Sequence, residues 1–285
     1  MMTEYVKTFL EERARPPIAK EGDYQSDGIL YCGQCGEPKQ AWIDWLPDKD
    51  GNVEKKLVPV MCKCARDKER REKEEREYQR FVEALRYFNV TITGNELSIC
   101  TGYFRDDDIR GSIAKACKRY CEQWPEMKQN HMGVLFYGSK GTGKTFYASC
   151  IVNEMVEQRV IAVMTTTANL MNVLSKWDKE ATMDAIRRVP LLALDDLGAE
   201  RDTSYSAELM YNVIDTRCKC GLPTIVTTNL DLGDMKAEED IWRGRIYDRV
   251  IEMCPIAIPM TGESRRSGIA DQRKALAREL LRGDT

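Results

Sequence analysis

One stretch constrains this chain more than any other: Gly133 and the apolar run Val134-Leu-Phe-Tyr137, then Gly138-Ser-Lys-Gly-Thr-Gly-Lys-Thr145, then Phe146 onward. The apolar run is short and bounded by glycine, which predicts a strand covered on both faces. Residues 138–145 match G-x-x-x-x-G-K-T in full, and a helix is expected to begin near Lys144. Glycine lets the backbone curl until several N–H groups point inward, and the positive end of the helix dipole falls on the same spot. An anion belongs there. Gly138, Ser139, Lys140, Gly141, Thr142 and Gly143 form the cradle, Lys144 can reach the outer phosphates of a nucleotide, and the Thr145 hydroxyl is placed to complete the shell of a Mg²⁺ ion.

The chain after this loop alternates strand and helix patterns, which implies a parallel sheet covered on both faces. Val160–Met164 is a second buried strand, and helical patterns follow over 169–177 and 182–188. The run 189–194 is apolar and ends in Asp195-Asp196, two carboxylates at the C-terminal end of a strand. Asp195 can orient Mg²⁺, and Asp196 can position or polarise an attacking water. A helix over 205–220 leads to Thr224-Ile-Val-Thr-Thr-Asn229, which brings Asn229 to the same sheet edge to hold the water or sense the terminal phosphate. Arg243, Arg245 and Arg249 follow within one helical pattern, on its solvated face or as a cation offered to a neighbouring subunit. Residues 255–259 read as an edge strand, since edges tolerate proline. A C-terminal helix carrying Ile269, Leu276 and Leu280 closes the chain. From 241 to 282 there are nine basic and five acidic side chains, a locally positive end.

The N-terminal text is different. Residues 2–13 form a short amphipathic pattern that stops at Pro16-Pro17. Cys32-Gly-Gln-Cys35 and Cys62-Lys-Cys64 are separated by 26 residues. Two close thiolate pairs, the first on a glycine knuckle, are what a tetrahedral Zn²⁺ site requires, and the residues between read as a hairpin with Asp50-Gly51-Asn52 at its turn. Trp42 and Trp45 are either anchors for a partner or a mini-core. Residues 66–80 hold seven basic and six acidic side chains without glycine or proline. They predict a solvated helix with pairs such as Glu69–Lys73 and Glu72–Arg76, a spacer more than a nucleic-acid arm.

Composition bounds the remaining classes. The net charge of −3 leaves nucleic-acid contact to local basic surface. Eleven cysteines without a secretion signal point to reduced thiols and a metal site, and Cys117 and Cys121 are expected in the core. No run of 18 apolar residues is present, so a soluble, cytoplasmic protein with no membrane contact is expected.

Together the GSKGTGKT, LLALDDLGAE, PTIVTTN and GRIYDR segments resemble the helicase-loader branch of AAA+ ATPases, the DnaC/DnaI-like proteins, with transposition helpers of the IstB type as close cousins. The N-terminal cysteine pairs followed by a charged helix resemble the zinc-bearing docking region of some loaders, often phage or prophage ones. The resemblance implies an α/β fold: an AAA+ P-loop ATPase core with a parallel sheet at 89–285, a charged helical linker at 65–88, and a small zinc-binding partner-docking region at 1–64. It implies phosphate and Mg²⁺ binding by Lys144 and Thr145, the Walker B pair Asp195 and Asp196, a first sensor at Asn229, an arginine finger at Arg245 and a second sensor at Arg266. Arg265 stands where many relatives have an aromatic residue, and Asp196 replaces the commoner Glu. The implied activity is slow, DNA-stimulated ATP hydrolysis that switches delivery of a replicative helicase hexamer onto single-stranded DNA, with self-association through the ATP site. Zn²⁺ would be structural, held by Cys32, Cys35, Cys62 and Cys64. Trp177 and Tyr205 are candidates for base stacking. A transposition helper or a nucleotide-gated adaptor with negligible turnover are the alternative readings.

Overall fold

The computed structural model describes residues 17–45, 53–95, 101–106, 111–176, 178–199, 203–262, 264, 274 and 278. The helical pattern expected over 2–13 and the turn at 50–52 lie outside the described residues, as does the helix expected after Arg266 except for Lys274 and Arg278, which are helical. Two compact units divide the chain, Met1–Arg80 and Phe81–Thr285.

In the first unit, β1 (Tyr24–Ser26) pairs antiparallel with β2 (Ile29–Tyr31). Their two-residue turn is Asp27-Gly28, both at positive φ, the backbone a right-twisted hairpin demands. A second hairpin joins β3 (Gln40–Asp44) to β4 (Lys55–Pro59), in register from Gln40↔Pro59 to Asp44↔Lys55. So small a unit has little apolar core and relies on polar staples. Asp23 supplies one: it accepts from Lys39 Nζ at 2.5 Å, Lys20 N at 2.8 Å and Gly33 N at 3.0 Å. Gly33 itself is required, because a Cβ there would lie 1.9 Å from the Gly22 carbonyl oxygen. Trp42 is 56% exposed, whereas Trp45 is half-buried under Lys56, whose ammonium stands 4.3 Å from the ring centroid. The exposed ring therefore adds nothing to a mini-core.

The charged pattern forms α1 (Lys63–Thr93). Along its outer turns Glu72 pairs with Arg76 at 4.0 Å and Lys73 with Glu77 at 3.9 Å, each pair solvated and worth a few tenths of a kcal/mol, ~0.3–0.5. The helix runs unbroken through Asn89, and its last turns bury Asn89, Ile92 and Thr93. Those turns are tied down by side chains of the second unit: Thr182 Oγ1 donates to the Thr91 carbonyl and Asn169 Nδ2 to the Thr93 carbonyl.

The second unit is built on five parallel strands, β5 (Val134–Tyr137), β6 (Ala162–Thr166), β7 (Leu191–Leu197), β8 (Thr224–Thr228) and β9 (Ile256–Pro259), in the spatial order β6-β7-β8-β5-β9. Alternation along each strand divides the core into two layers. Leu135, Leu192, Leu194 and Val226 face one, shared with α5 (Thr167–Lys176), α6 (Lys179–Arg188), α7 (Ser204–Cys220), α8 (Leu232–Lys236) and α9 (Ile241–Met253). Val134, Phe136, Leu191, Ala193 and Ile225 face the other, shared with α2 (Ser112–Glu122), α3 (Trp124–Gln129) and α4 (Lys144–Glu157). Cys117 and Cys121 are buried in that second layer, as side chains of the core. Strands covered on both faces read as continuous apolar runs, which is why β5 to β8 were visible in sequence; β9 is the half-exposed edge strand that its prolines announced.

Arg217 is the largest fully buried side chain among the described residues. Its guanidinium donates to the carbonyl oxygens of Ile186 (2.9 Å), Val189 (2.7 Å) and Pro223 (2.6 Å) and to Thr224 Oγ1 (3.0 Å). It thereby satisfies the C-terminal end of α6 and the approach to β8, carbonyls that burial would otherwise leave unpaired.

No helix among the described residues is long and apolar enough to cross a membrane.

Candidate nucleotide site and thiol cluster

Because all five strands are parallel, their C-terminal ends share one edge of the sheet, the place where open α/β sheets bind ligands. The strand order places β8 between β5 and β7. The side chains that leave those three strands therefore converge.

From β5 the chain enters the glycine loop, with φ of +113° at Gly138, +81° at Gly141 and +101° at Gly143. Gly138 also needs its hydrogen for space, since a Cβ would lie 2.8 Å from the Met260 carbonyl oxygen. Gly143 caps α4, so the free N–H groups of that helix open into the loop. Thr142 Oγ1 holds the loop by donating to the Ser139 carbonyl at 2.9 Å, while Ser139 and Lys140 are exposed. Lys144 is buried, and its ammonium donates to the carbonyls of Gly138 (2.9 Å) and Ser139 (2.7 Å). The cation thus lies over the mouth of the loop, positioned to exchange those carbonyls for an anion.

Thr145 Oγ1 donates to Asp195 Oδ1 at 3.0 Å. A hydroxyl and a carboxylate oxygen adjoining a phosphate-type loop are the hard donors that Mg²⁺ takes, so these residues fit that ion. The next residue breaks the strand pattern: the β7–β8 register shifts between Leu194 and Leu197, and Asp196 has φ of +61°. The bulge turns Asp196 away from Asp195, and Asn229 Nδ2 donates to its Oδ1 at 2.8 Å. Two side chains absent from the expected set fix this geometry. Thr227 Oγ1 donates to Asp195 Oδ1 at 2.6 Å and accepts from Asp196 N at 2.9 Å, and Thr167 Oγ1 donates to the Asp196 carbonyl at 3.0 Å. The signal for Thr227 was a polar residue inside the apolar strand run 224–228; nothing local marked Thr167.

Lys144, Thr145, Asp195, Asp196 and Asn229 are thus brought to one place. Arg245 stands apart on α9, exposed, with its guanidinium 5.7 Å from the Trp242 ring centroid. Arg249 is engaged by Glu252 at 2.6 Å and Asp215 at 3.5 Å. Tyr205 is 57% exposed in the first turn of α7. Arg265, Arg266 and Trp177 lie outside the described residues.

In the first unit the Sγ atoms of Cys32, Cys35 and Cys62 lie within 4.8 Å of one another, a group that could hold a metal ion. Cys64 is not within that distance of all three; it interacts with Cys35, whose side chain is the chief cause that pushes the Cys64 thiol up to about 11. The Cys35 thiol is pulled down to about 6, first by the backbone N–H of Cys64 and then by that of Glu37. The knuckle is closed by Gly36 N donating to the Cys32 carbonyl at 2.8 Å, with Gly36 at φ +70°. Glu37 holds the start of α1, accepting from Lys63 N at 2.6 Å and Arg66 at 2.8 Å. Three thiols on a knuckle and a helix start are compatible with a zinc site, and the structure does not bring the expected fourth, Cys64, into the same group.

A parallel sheet of this order, with a glycine loop leaving β5 and an acidic pair leaving β7, is the core of a P-loop ATPase of the AAA+ class. A family model described as IstB-like ATP binding protein matches residues 115–274, and the chain belongs to that family. It is similar to the replicative helicase loader DnaI of Bacillus subtilis (strain 168), 29% identical over 148 residues, 47% of either chain. It is also similar to the replicative helicase loader DnaC of Buchnera aphidicola subsp. Acyrthosiphon pisum, 28% identical over 155 residues, 52% of this chain and 61% of that one. The chain thus spans about half of the relatives it matches. A crystal structure of DnaI aligns with 57% of this chain and 93% of that one, at 26% identity and a TM-score of 0.48.

Proposed function

We propose that this chain loads a replicative DNA helicase onto single-stranded DNA, using ATP binding and hydrolysis as the assembly and release switch. The observation that carries the reading is the convergence of Lys144, Thr145, Asp195, Asp196 and Asn229 within the matched stretch of a family whose similar members are named replicative helicase loaders.

In this reading the N–H groups of the loop and of α4 bind the phosphates, and Lys144 leaves its two carbonyls to pair with the outer ones. Thr145 and Asp195 would hold Mg²⁺, which when bound spreads the charge of the transferred phosphoryl group. Asp196 and Asn229 form the pair that holds the attacking water, with Asn229 orienting the carboxylate. Asp196 is one methylene shorter than the commoner Glu, which suits slow hydrolysis. Exposed Arg245 is the cation offered to the nucleotide of a neighbouring copy, which makes self-association part of the mechanism, and Arg266 is assigned the second sensor. Residues 1–64 dock the partner, with Cys32, Cys35, Cys62 and Cys64 holding a Zn²⁺ ion that cross-links the unit, 65–88 are the spacer and 89–285 the ATPase domain. Tyr205 and the basic C-terminal end are the candidates for contact with DNA. The site of action is the cytoplasm.

The test mixes the purified chain with the replicative helicase hexamer of its host and a fluorescent single strand without free ends. ATP-dependent retention of helicase on the circle, lost with Lys144→Ala, is expected. Helicase bound neither to the chain nor to the circle through it would overturn the reading.

A further inference from the structure

We infer that Thr227 is a positioning residue of the nucleotide site, one hydroxyl that holds the carboxylate of Asp195 and the backbone of Asp196 in their separate roles. The inference rests on the ATPase reading above and deepens it.

In a regular parallel ladder every second N–H of β7 would donate to a backbone carbonyl of β8. The register shifts between Leu194 and Leu197, and at Asp196, within that shift, the N–H is met by a side chain instead. Thr227 Oγ1 takes the place of a carbonyl there, accepting from Asp196 N at 2.9 Å. A hydroxyl has one proton to give, and this one goes to Asp195 Oδ1 at 2.6 Å. With both capacities used and the side chain 2% exposed, the hydroxyl cannot turn. It therefore fixes the Asp195 carboxylate beside Thr145 and, through one atom, the left-handed backbone that aims Asp196 at Asn229.

The two hydrogen bonds on Asp195 Oδ1 are not equivalent. Thr145 is exposed and must turn its oxygen toward an arriving cation, so its bond of 3.0 Å is the one given up. The bond from Thr227 is buried and stays. Removing it would leave Asp195 free to change rotamer when Thr145 leaves, and would loosen Asp196 at the same time. Valine has the shape of threonine without the hydroxyl; serine keeps the hydroxyl without the methyl.

The experiment compares wild type, Thr227→Val and Thr227→Ser in two readouts: binding of a fluorescent ATP analogue at a series of Mg²⁺ concentrations, and turnover with kcat and KM separated. The expected result for Thr227→Val is a Mg²⁺ concentration for half-maximal tight binding raised about tenfold and a kcat lowered at least about tenfold. Affinity without Mg²⁺ should be unchanged, and Thr227→Ser should restore most of both effects. A Thr227→Val protein with the wild-type Mg²⁺ dependence and kcat would overturn the inference and leave the ATPase reading standing. If wild type binds nucleotide without turning it over, the loader's hydrolysis step fails, while the Mg²⁺ dependence of binding still decides the role of Thr227. A wild-type chain that binds no nucleotide overturns both.

Discussion

Asn229 Nδ2 donates to Asp196 Oδ1 at 2.8 Å, so the carboxylate at the end of β7 is held by the residue that follows β8. The contact requires the positive φ of Asp196, a conformation that costs a non-glycine residue about 1–3 kcal/mol and is paid for here by hydrogen bonds at its N–H and C=O. Backbone strain of this kind marks a position where geometry matters more than local stability. Asn229→Ala frees the carboxylate but leaves the phosphate loop intact. It is expected to lower kcat roughly 100-fold with ATP affinity nearly unchanged. Steady-state kinetics beside direct nucleotide binding check this, and equal losses in both would show that Asn229 acts in binding.

Arg217 carries a different kind of prediction. Its four hydrogen bonds go to three carbonyls and a hydroxyl, none of which has water to turn to. Arg217→Leu fills most of the space but strands those acceptors, at a cost of about 3–5 kcal/mol. Thermal unfolding of the second unit should fall by roughly 10 °C, at about 2–4 °C per kcal/mol for a unit of this size. Nucleotide binding below the new midpoint should be retained.

These two residues show what the sequence could and could not display. The phosphate loop, the acidic pair and the strand ends were legible because each is local: a glycine spacing, or an apolar run that stops at a polar residue. Four of the five core strands were legible for the same reason, being buried on both faces; β9, at the edge and half exposed, was marked by its prolines instead. Thr227, Thr167 and Arg217 act between elements, on partners 6 to 32 positions away, and no single element contains both partners. The bulge at Asp196 was equally hidden, since an L-residue at positive φ carries no mark in the text. In the first unit the paired cysteines were legible by spacing, whereas the exposure of Trp42 depends on which face of β3 the hairpin covers.

Asp23 gives the pH dependence of the first unit. Lys39, and after it the N–H groups of Lys20 and Gly33, hold its carboxyl at about 2, below the ordinary 3.8. A depressed carboxyl contributes stability that is fully present above pH 3.8 and is lost as pH falls through about 2. The carboxyl carbon of Asp23, followed by NMR, should titrate with a midpoint near 2. A midpoint near 3.8 would mean the staple does not form in solution.

The thiol cluster predicts about one zinc per chain by elemental analysis. Cys62→Ser should remove it, because Cys62 lies within 4.8 Å of both knuckle thiols. Zinc removal by a chelator should abolish the near-ultraviolet signal of half-buried Trp45, since a unit with so few buried apolar side chains depends on its cross-link. Metal content unchanged in Cys62→Ser would contradict the assignment.

The proposed ATP site takes its last cation from a neighbouring copy of the chain, and ATP turnover in mixtures of two variants tests that proposal most directly. Lys144→Ala lacks the phosphate cation but keeps Arg245; Arg245→Ala lacks the exposed cation but keeps the loop. Alone, each should turn over ATP at least about 100-fold more slowly than wild type. Mixed, they should recover activity, because at one kind of interface an intact loop meets an intact Arg245, and single-stranded DNA should raise that recovery. Wild-type turnover by Lys144→Ala alone, or no gain on mixing at any ratio, would contradict it.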